Sequence, residues 1–255
     1  MSEPHGSFSW YELMAPDAKA AATYYGAVLG WTAQEMPGGE MPYTVLSNDG
    51  QGVAGILTVP KDMEGPGPVW VGYVSVPDVD AYVERLTALG GTVHRPASDV
   101  PGILRFAVVA DPQGAAFVMF TPFSDAPPPP ALPARSGFAA WRELMTEDGE
   151  KAFAFYSQMF GWTKGEAHDM GPMGVYQLFV DSGETVGGMM TKPAQIPRPF
   201  WGFYFQVDGI RSGIDRLKGA GGVVINGPHQ VPGGQWVVQA QDPQGAIFAL
   251  VSGTE

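Results

Sequence analysis

A chain that repeats its own landmarks at one fixed spacing is constrained to fold as a duplicated unit, and this sequence does so along almost its whole length. Trp10, Glu12, Leu13 and Met14 recur as Trp141, Glu143, Leu144 and Met145; Gly30-Trp31-Thr32 recurs as Gly161-Trp162-Thr163, and Trp70 as Trp201. Gly90-Gly91 returns as Gly221-Gly222, Val100-Pro101-Gly102 as Val231-Pro232-Gly233, and Asp111-Pro112-Gln113-Gly114-Ala115 as Asp242-Pro243-Gln244-Gly245-Ala246. The spacing is 131 residues in every pair. It drifts only before Tyr43/Tyr176 and between Pro60/Pro193 and Trp70/Trp201, in Pro- and Gly-rich loops where insertions cost little. DAPPPPALPAR, Asp125 to Arg135, reads as a stiff extended spacer between the copies. The expected organisation is one domain over 1–124, a linker over 125–135 and a second domain over 136–255.

Period and punctuation give the elements of each copy. FSWYELM alternates as a strand does, and Asp17 is a suitable N-cap for a helix whose apolar stripe is Ala21, Tyr24, Tyr25, Val28 and Leu29, stopped by Gly30. Strands follow near Trp31, at YTVLS and at VAGILT. A second round runs from VWVGYVSV through a helix carrying Val79, Tyr82, Val83, Leu86 and Leu89 to strands near Thr92, at LRFAVVA and at AAFVMF, the last two joined by an Asp-Pro-Gln-Gly hairpin turn. Each copy therefore holds two β-α-β-β-β units, an α+β fold.

Composition excludes several classes of function. Fourteen Lys and Arg against 26 Asp and Glu leave a net charge of −12, the wrong sign for gripping nucleic acid. No apolar run reaches the roughly 18 residues that cross a bilayer, and MSEPHGSFSW is neither basic nor apolar, so a cytoplasmic protein with no membrane partner is expected. The absence of cysteine removes disulfides and thiolate chemistry. His5, His94, His168 and His229 show no ligand-pair spacing and read as loop or surface residues.

The paired β-α-β-β-β units, the strand leading into Asp17, the helix ending Tyr24-Tyr25 then Leu29-Gly30, and the closing Asp111-Pro112-Gln113-Gly114 turn resemble the vicinal oxygen chelate superfamily. That superfamily includes glyoxalase I, extradiol dioxygenases, fosfomycin-resistance enzymes and bleomycin-resistance binding proteins. The resemblance spans both halves and implies half-open curved barrels, with a divalent metal held by His, Gln or Glu from the first and last strands of each unit. Those positions fall on Trp10, Gly55, Val71 and Val118, and on Trp141, Gly188, Gly202 and Ala249. None of these side chains binds a metal, so no metal and no other cofactor is expected.

Strand alternation then sends Trp10 and Glu12 to the face opposite Leu13, and Trp141 and Glu143 opposite Leu144. Sharing that face by the same counting are Leu57, Val71, Tyr73, Ser75, Ala116, Val118 and Phe120, and in the second copy Met190, Tyr204, Gln206, Ile247, Ala249 and Val251. Trp70 and Trp201 are expected at the mouth of the same cavity. Ligand contact is assigned to Trp10, Trp141, Trp70, Trp201, Leu57, Met190, Val118, Phe120 and Gln206. For the tryptophans, core filling is the competing reading. Glu12 and Glu143 are the candidate general bases, with Tyr73 and Tyr204 as proton donors or polar anchors. An ion pair with Arg105 would account for Glu12 in structural terms, but Trp236 stands at that place in the second copy. The expected function is a metal-independent lyase, isomerase or hydroxylase-like enzyme acting on a small organic, possibly aromatic, substrate, as monomer or homodimer. The alternative is a ligand-sequestering protein of the bleomycin-resistance kind.

Overall fold

Asp17 and Asp148 start equivalent helices in the same way, each carboxylate accepting the backbone N–H three residues on (Ala20 at 2.9 Å, Lys151 at 3.1 Å). Gly30 and Gly161 end those helices with φ of 77° and 76°, the left-handed turn that glycine adopts without steric cost. The computed structural model describes residues 6–37, 41–60, 67–123 and 135–255. His5, Gly38-Gly39 and the expected linker apart from Arg135 lie outside these.

In the first repeat β1 (Ser7–Ala15), α1 (Ala18–Leu29), β2 (Thr32–Met36), β3 (Tyr43–Asn48) and β4 (Gln51–Thr58) form one module. The next comprises β5 (Val69–Ser75), α2 (Val79–Ala88), β6 (Thr92–Val100), β7 (Leu104–Ala110) and β8 (Ala116–Pro122). The second repeat copies them as β9 (Ala139–Thr146), α3 (Gly149–Phe160), β10 (Thr163–Asp169), β11 (Val175–Asp181) and β12 (Glu184–Thr191), then β13 (Phe200–Gln206), α4 (Ile210–Gly219), β14 (Val223–Gln230), β15 (Trp236–Gln241) and β16 (Ile247–Ser252). Each repeat makes one eight-stranded sheet, ordered β2-β3-β4-β1-β5-β8-β7-β6 and β10-β11-β12-β9-β13-β16-β15-β14. The α+β tandem fold follows the sequence reading. His168, expected in a loop, lies on β10, and His229 on β14.

Compactness follows a different division from the repeat. One compact unit gathers α2 and β6–β8 of the first repeat with α3 and β10–β12 of the second; the other gathers α1 and β2–β4 with α4 and β14–β16. Side-chain hydrogen bonds explain why. In the latter unit, Tyr25 on α1 donates to Asp242 of the far Asp-Pro-Gln-Gly turn (3.0 Å) and accepts from the Trp70 indole (2.9 Å). The Gln244 amide grips both backbone groups of Asp17, accepting its N–H at 3.0 Å and donating to its carbonyl at 2.9 Å. The other unit repeats the set with the copies exchanged: Tyr156 to Asp111 (3.1 Å), Trp201 to Tyr156 (2.9 Å), and Gln113 on Asp148 (2.7 and 3.0 Å). Asp-Pro-Gln-Gly is thus a turn, as expected, and also the lock that one repeat offers to the helix of the other.

Candidate functional site

The burial of β1 alternates as the sequence requires. Tyr11, Leu13 and Ala15 are buried on one side, Tyr11 packing edge-on against Phe203 at 5.1 Å between ring centres. Trp10 and Glu12 therefore share the opposite face. The parallel register of β1 with β4 sets Glu12 beside Gly55, and that of β9 with β12 sets Glu143 beside Gly188. Tyr43 on β3 and Tyr176 on β11 lean across these glycines. A Cβ added at Gly55 would come 2.0 Å from the Tyr43 hydroxyl, and one at Gly188 would come 2.2 Å from the Tyr176 ring, so a side chain at either position would have to displace the phenol.

A hydrogen-bonded chain results in each repeat. The Trp10 indole N–H donates to the Tyr43 hydroxyl at 2.9 Å, and that hydroxyl donates to Glu12. The second repeat has Trp141 to Tyr176 at 2.8 Å and Tyr176 to Glu143 at 3.0 Å. Burial, and then the nearby carboxylate, push both tyrosines far above the usual phenol range. Each phenol accordingly keeps its proton and orients a carboxylate that is itself only 7% (Glu12) or 8% (Glu143) exposed.

The structure sorts the remaining expected residues. Leu57 and Phe120 are half-buried, Met190 and Val118 buried, and Phe120 meets Tyr73 edge-on with ring centres 5.9 Å apart. Tyr204 accepts a hydrogen bond from Gln239 (3.0 Å), and Gln206 lies two residues along the same strand face. Ala116 and Ile247, counted inward, are exposed at strand starts. Trp70 and Trp201, 4% and 5% exposed, lie within the aromatic cores of the compact units rather than at a cavity mouth. Trp70 packs on Tyr25 and Phe205, Trp201 on Tyr156 and Phe179. Arg105, offered as a partner for Glu12, pairs instead with Asp80 and Asp99, both at 2.7 Å. Tyr43 and Tyr176 were not assigned from sequence. The available signal was that each stands 12 residues before its glycine, a spacing kept through the drift in repeat register.

These residues do not fit the superfamily's divalent metal. Trp10 Nε1 only donates, Gly55 brings no ligand atom, Val71 and Val118 are apolar, and the phenol over the glycine retains its proton. Among the described residues, no group of three or more His, Asp or Glu is placed to hold an ion.

Comparison with known proteins agrees with this architecture. The sequence model of the Glyoxalase/Bleomycin resistance protein/Dioxygenase superfamily matches residues 7–119 and again 135–250. Over 249 residues the chain is 31% identical to "Putative glyoxylase CFP32" of Mycobacterium tuberculosis, spanning 96% of this chain and 94% of that protein. It is 31% identical over 262 residues to the anthracycline biosynthesis protein DnrV of Streptomyces peucetius, spanning 96% and 93%. The fold is similar to that of the Mn(II)-bound glyoxalase from Novosphingobium aromaticivorans, with a TM-score of 0.68 at 14% identity over 100% of this chain and 84% of that one. The chain belongs to the glyoxalase/bleomycin resistance protein/dioxygenase superfamily and carries two tandem copies of its domain.

Proposed function

We propose that this protein is a small-molecule enzyme of the lyase or isomerase type that works without a divalent metal, using Glu12 and Glu143 as proton acceptors. The observation that carries this reading is the Trp–Tyr–carboxylate chain, present twice, with Trp10–Tyr43 at 2.9 Å, Trp141–Tyr176 at 2.8 Å, Tyr176–Glu143 at 3.0 Å and Tyr43 hydrogen-bonded to Glu12. A tyrosine that holds its proton leaves the glutamate as the basic member of the chain and fixes its direction. In the proposed step a C–H bond beside a substrate carbonyl breaks. The proton passes to the glutamate and the electron pair moves onto the carbonyl oxygen as an enolate. The enolate is then reprotonated elsewhere or expels a β-substituent. Trp10 and Trp141 offer flat indole surface, which suits an aromatic substrate. The name of DnrV, an anthracycline biosynthesis protein, favours fused-ring aromatic ketones as the class to test first.

The test combines tryptophan fluorescence with deuterium exchange at the acidic C–H of a panel of fused-ring hydroxyketones in D2O. The wild type is expected to show quenching and exchange. The double variant Glu12→Gln/Glu143→Gln is expected to keep the quenching and lose the exchange. Quenching without exchange by the wild type would establish sequestration instead; neither signal would overturn both readings.

A further inference from the structure

The repeats agree at the Trp–Tyr–carboxylate chain and differ on the sheet face built by their last strands. Register places Tyr73 beside Val118 and Val108, and Ser75 beside Phe120 and Phe106. The same rows in the second repeat are Tyr204 beside Ala249 and Gln239, and Gln206 beside Val251 and Val237. Two phenyl rings have become isopropyl groups, a valine has become alanine, and two glutamines have entered a face that is otherwise apolar.

What each face does with its space also differs. In the first repeat the rings fill it: Phe120 abuts Tyr73, and the Arg95 guanidinium covers Phe106 at 4.8 Å from the ring centre. In the second, Asn226 stands at the position of Arg95 and belongs to a polar chain. His229 Nε2 meets Asn226 Oδ1 at 2.9 Å, Asn226 Nδ2 donates to Gln239 Oε1 at 3.3 Å, and Gln239 Nε2 donates to the Tyr204 hydroxyl at 3.0 Å. With the amides so oriented His229 is the donor, and every donor in the chain points toward Tyr204. Beside this chain, the Gln206 amide N–H donates to the Val207 carbonyl at 3.3 Å while its Oε1 is buried without a hydrogen-bond partner. A buried amide oxygen without a donor from the protein is costly, and a ligand group that donates to it relieves that cost.

We propose that this face of the second repeat is the ligand-reading surface of the protein. It takes small planar molecules whose hydroxyl or N–H donates to Gln206 Oε1, whereas the matching face of the first repeat is filled by its own rings. The inference rests on the small-molecule function above and adds which repeat reads the ligand and by what chemistry.

The experiment is an NMR titration of the full chain with phenol and, separately, with toluene, the same ring and size without the hydroxyl. Phenol is expected to shift the Gln206 side-chain amide saturably, with toluene weaker. Gln206→Ser installs the residue the first repeat already carries and should weaken phenol about tenfold, the size of one hydrogen bond, while leaving toluene unchanged. Gln239→Val is the second such variant and should also weaken phenol. Equal response to the two probes, response confined to Val108 and Phe120, or no response to phenol would each overturn the proposal. Since the titration requires no turnover, it fails or succeeds independently of the glutamate chemistry.

Discussion

Two kinds of relay share one chemistry, an indole N–H donating to a phenol that donates to a carboxylate: one kind lies within each repeat, and the other takes its carboxylate from the opposite repeat. Trp70–Tyr25–Asp242 and Trp201–Tyr156–Asp111 are buried in the compact units. There the aspartate is committed twice: one oxygen of Asp242 takes the tyrosine, and the other takes the backbone N–H groups of Gln244, Gly245 and Ala246 at 2.9 Å each. Trp10–Tyr43–Glu12 and Trp141–Tyr176–Glu143 instead stand on strand faces directed away from the helices, over glycines that make room for the phenol. Identical donor–acceptor chemistry thus sits in two backbone settings, a turn whose N–H groups fill one carboxylate oxygen and a strand beside a glycine. Under the function proposed above, the acid in the turn fixes the fold and the acid on the strand takes the proton.

Truncating the indoles separates the two relays most sharply. Trp70→Ala and Trp201→Ala should each cost about 3–5 kcal/mol of unfolding free energy, since they empty a packed aromatic core. Trp10→Ala and Trp141→Ala should cost roughly 1–2 kcal/mol, near the value of the lost hydrogen bond, while reducing ligand quenching. Urea denaturation of the four variants decides; equal losses would erase the distinction.

Removing only the hydroxyl is the next largest effect. Tyr25→Phe or Tyr156→Phe strands a buried indole N–H and should destabilise by about 1–3 kcal/mol. Tyr43→Phe should move the Trp10 indole 15N–1H resonance by NMR, with a smaller loss in the melting midpoint.

Gly55→Ala tests the close approach on the site side, with an expected cost of about 1–3 kcal/mol from the forced shift of the Tyr43 ring. Tyr43→Val should relieve most of that cost in a double-mutant cycle, because the ring it collides with is gone. Additive effects would mean that the glycine is not there for the tyrosine.

The smallest effect concerns pH. Burial raises Asp111 above the ordinary carboxylate range, against the opposing pull of its backbone and Tyr156 hydrogen bonds. A carboxyl whose folded pKa exceeds its unfolded value stabilises most below the unfolded pKa, and that contribution fades as pH rises through the folded value. Asp111→Asn should remove a downward slope of stability between about pH 4 and the folded pKa. A pH profile parallel to that of the wild type would show that Asp111 contributes none.

Much of this was legible in the sequence because repetition and alternation are local signals. The 131-residue spacing identifies the tandem units, and the parity of WYELM places Glu12 and Leu13 on opposite faces, with Leu13 wholly buried. The same parity, applied to Val71, Tyr73 and Ser75, puts Trp70 on the helix side rather than at the expected cavity mouth. Tyr43 was beyond reach of alternation, since its place over Gly55 depends on a diagonal contact between neighbouring strands. The regrouping of modules was equally hidden. Tyr25 and Asp242 are far apart in the chain, and nothing local announces their meeting.

The glutamine clamp also bears on how the chain comes to be folded. Asp17 is held by Gln244, so the start of the first helix acquires its clamp only after residue 244, 227 positions later, has been synthesised. The module around α1 must wait on the ribosome with Tyr25 and Trp70 lacking their final setting, while the other unit, closed by Gln113 and Asp148, can assemble first. The exchange of modules therefore sets an order of availability: once Gly149 has been made, both residues of the Gln113–Asp148 clamp are present, whereas the Asp17 clamp still lacks Gln244.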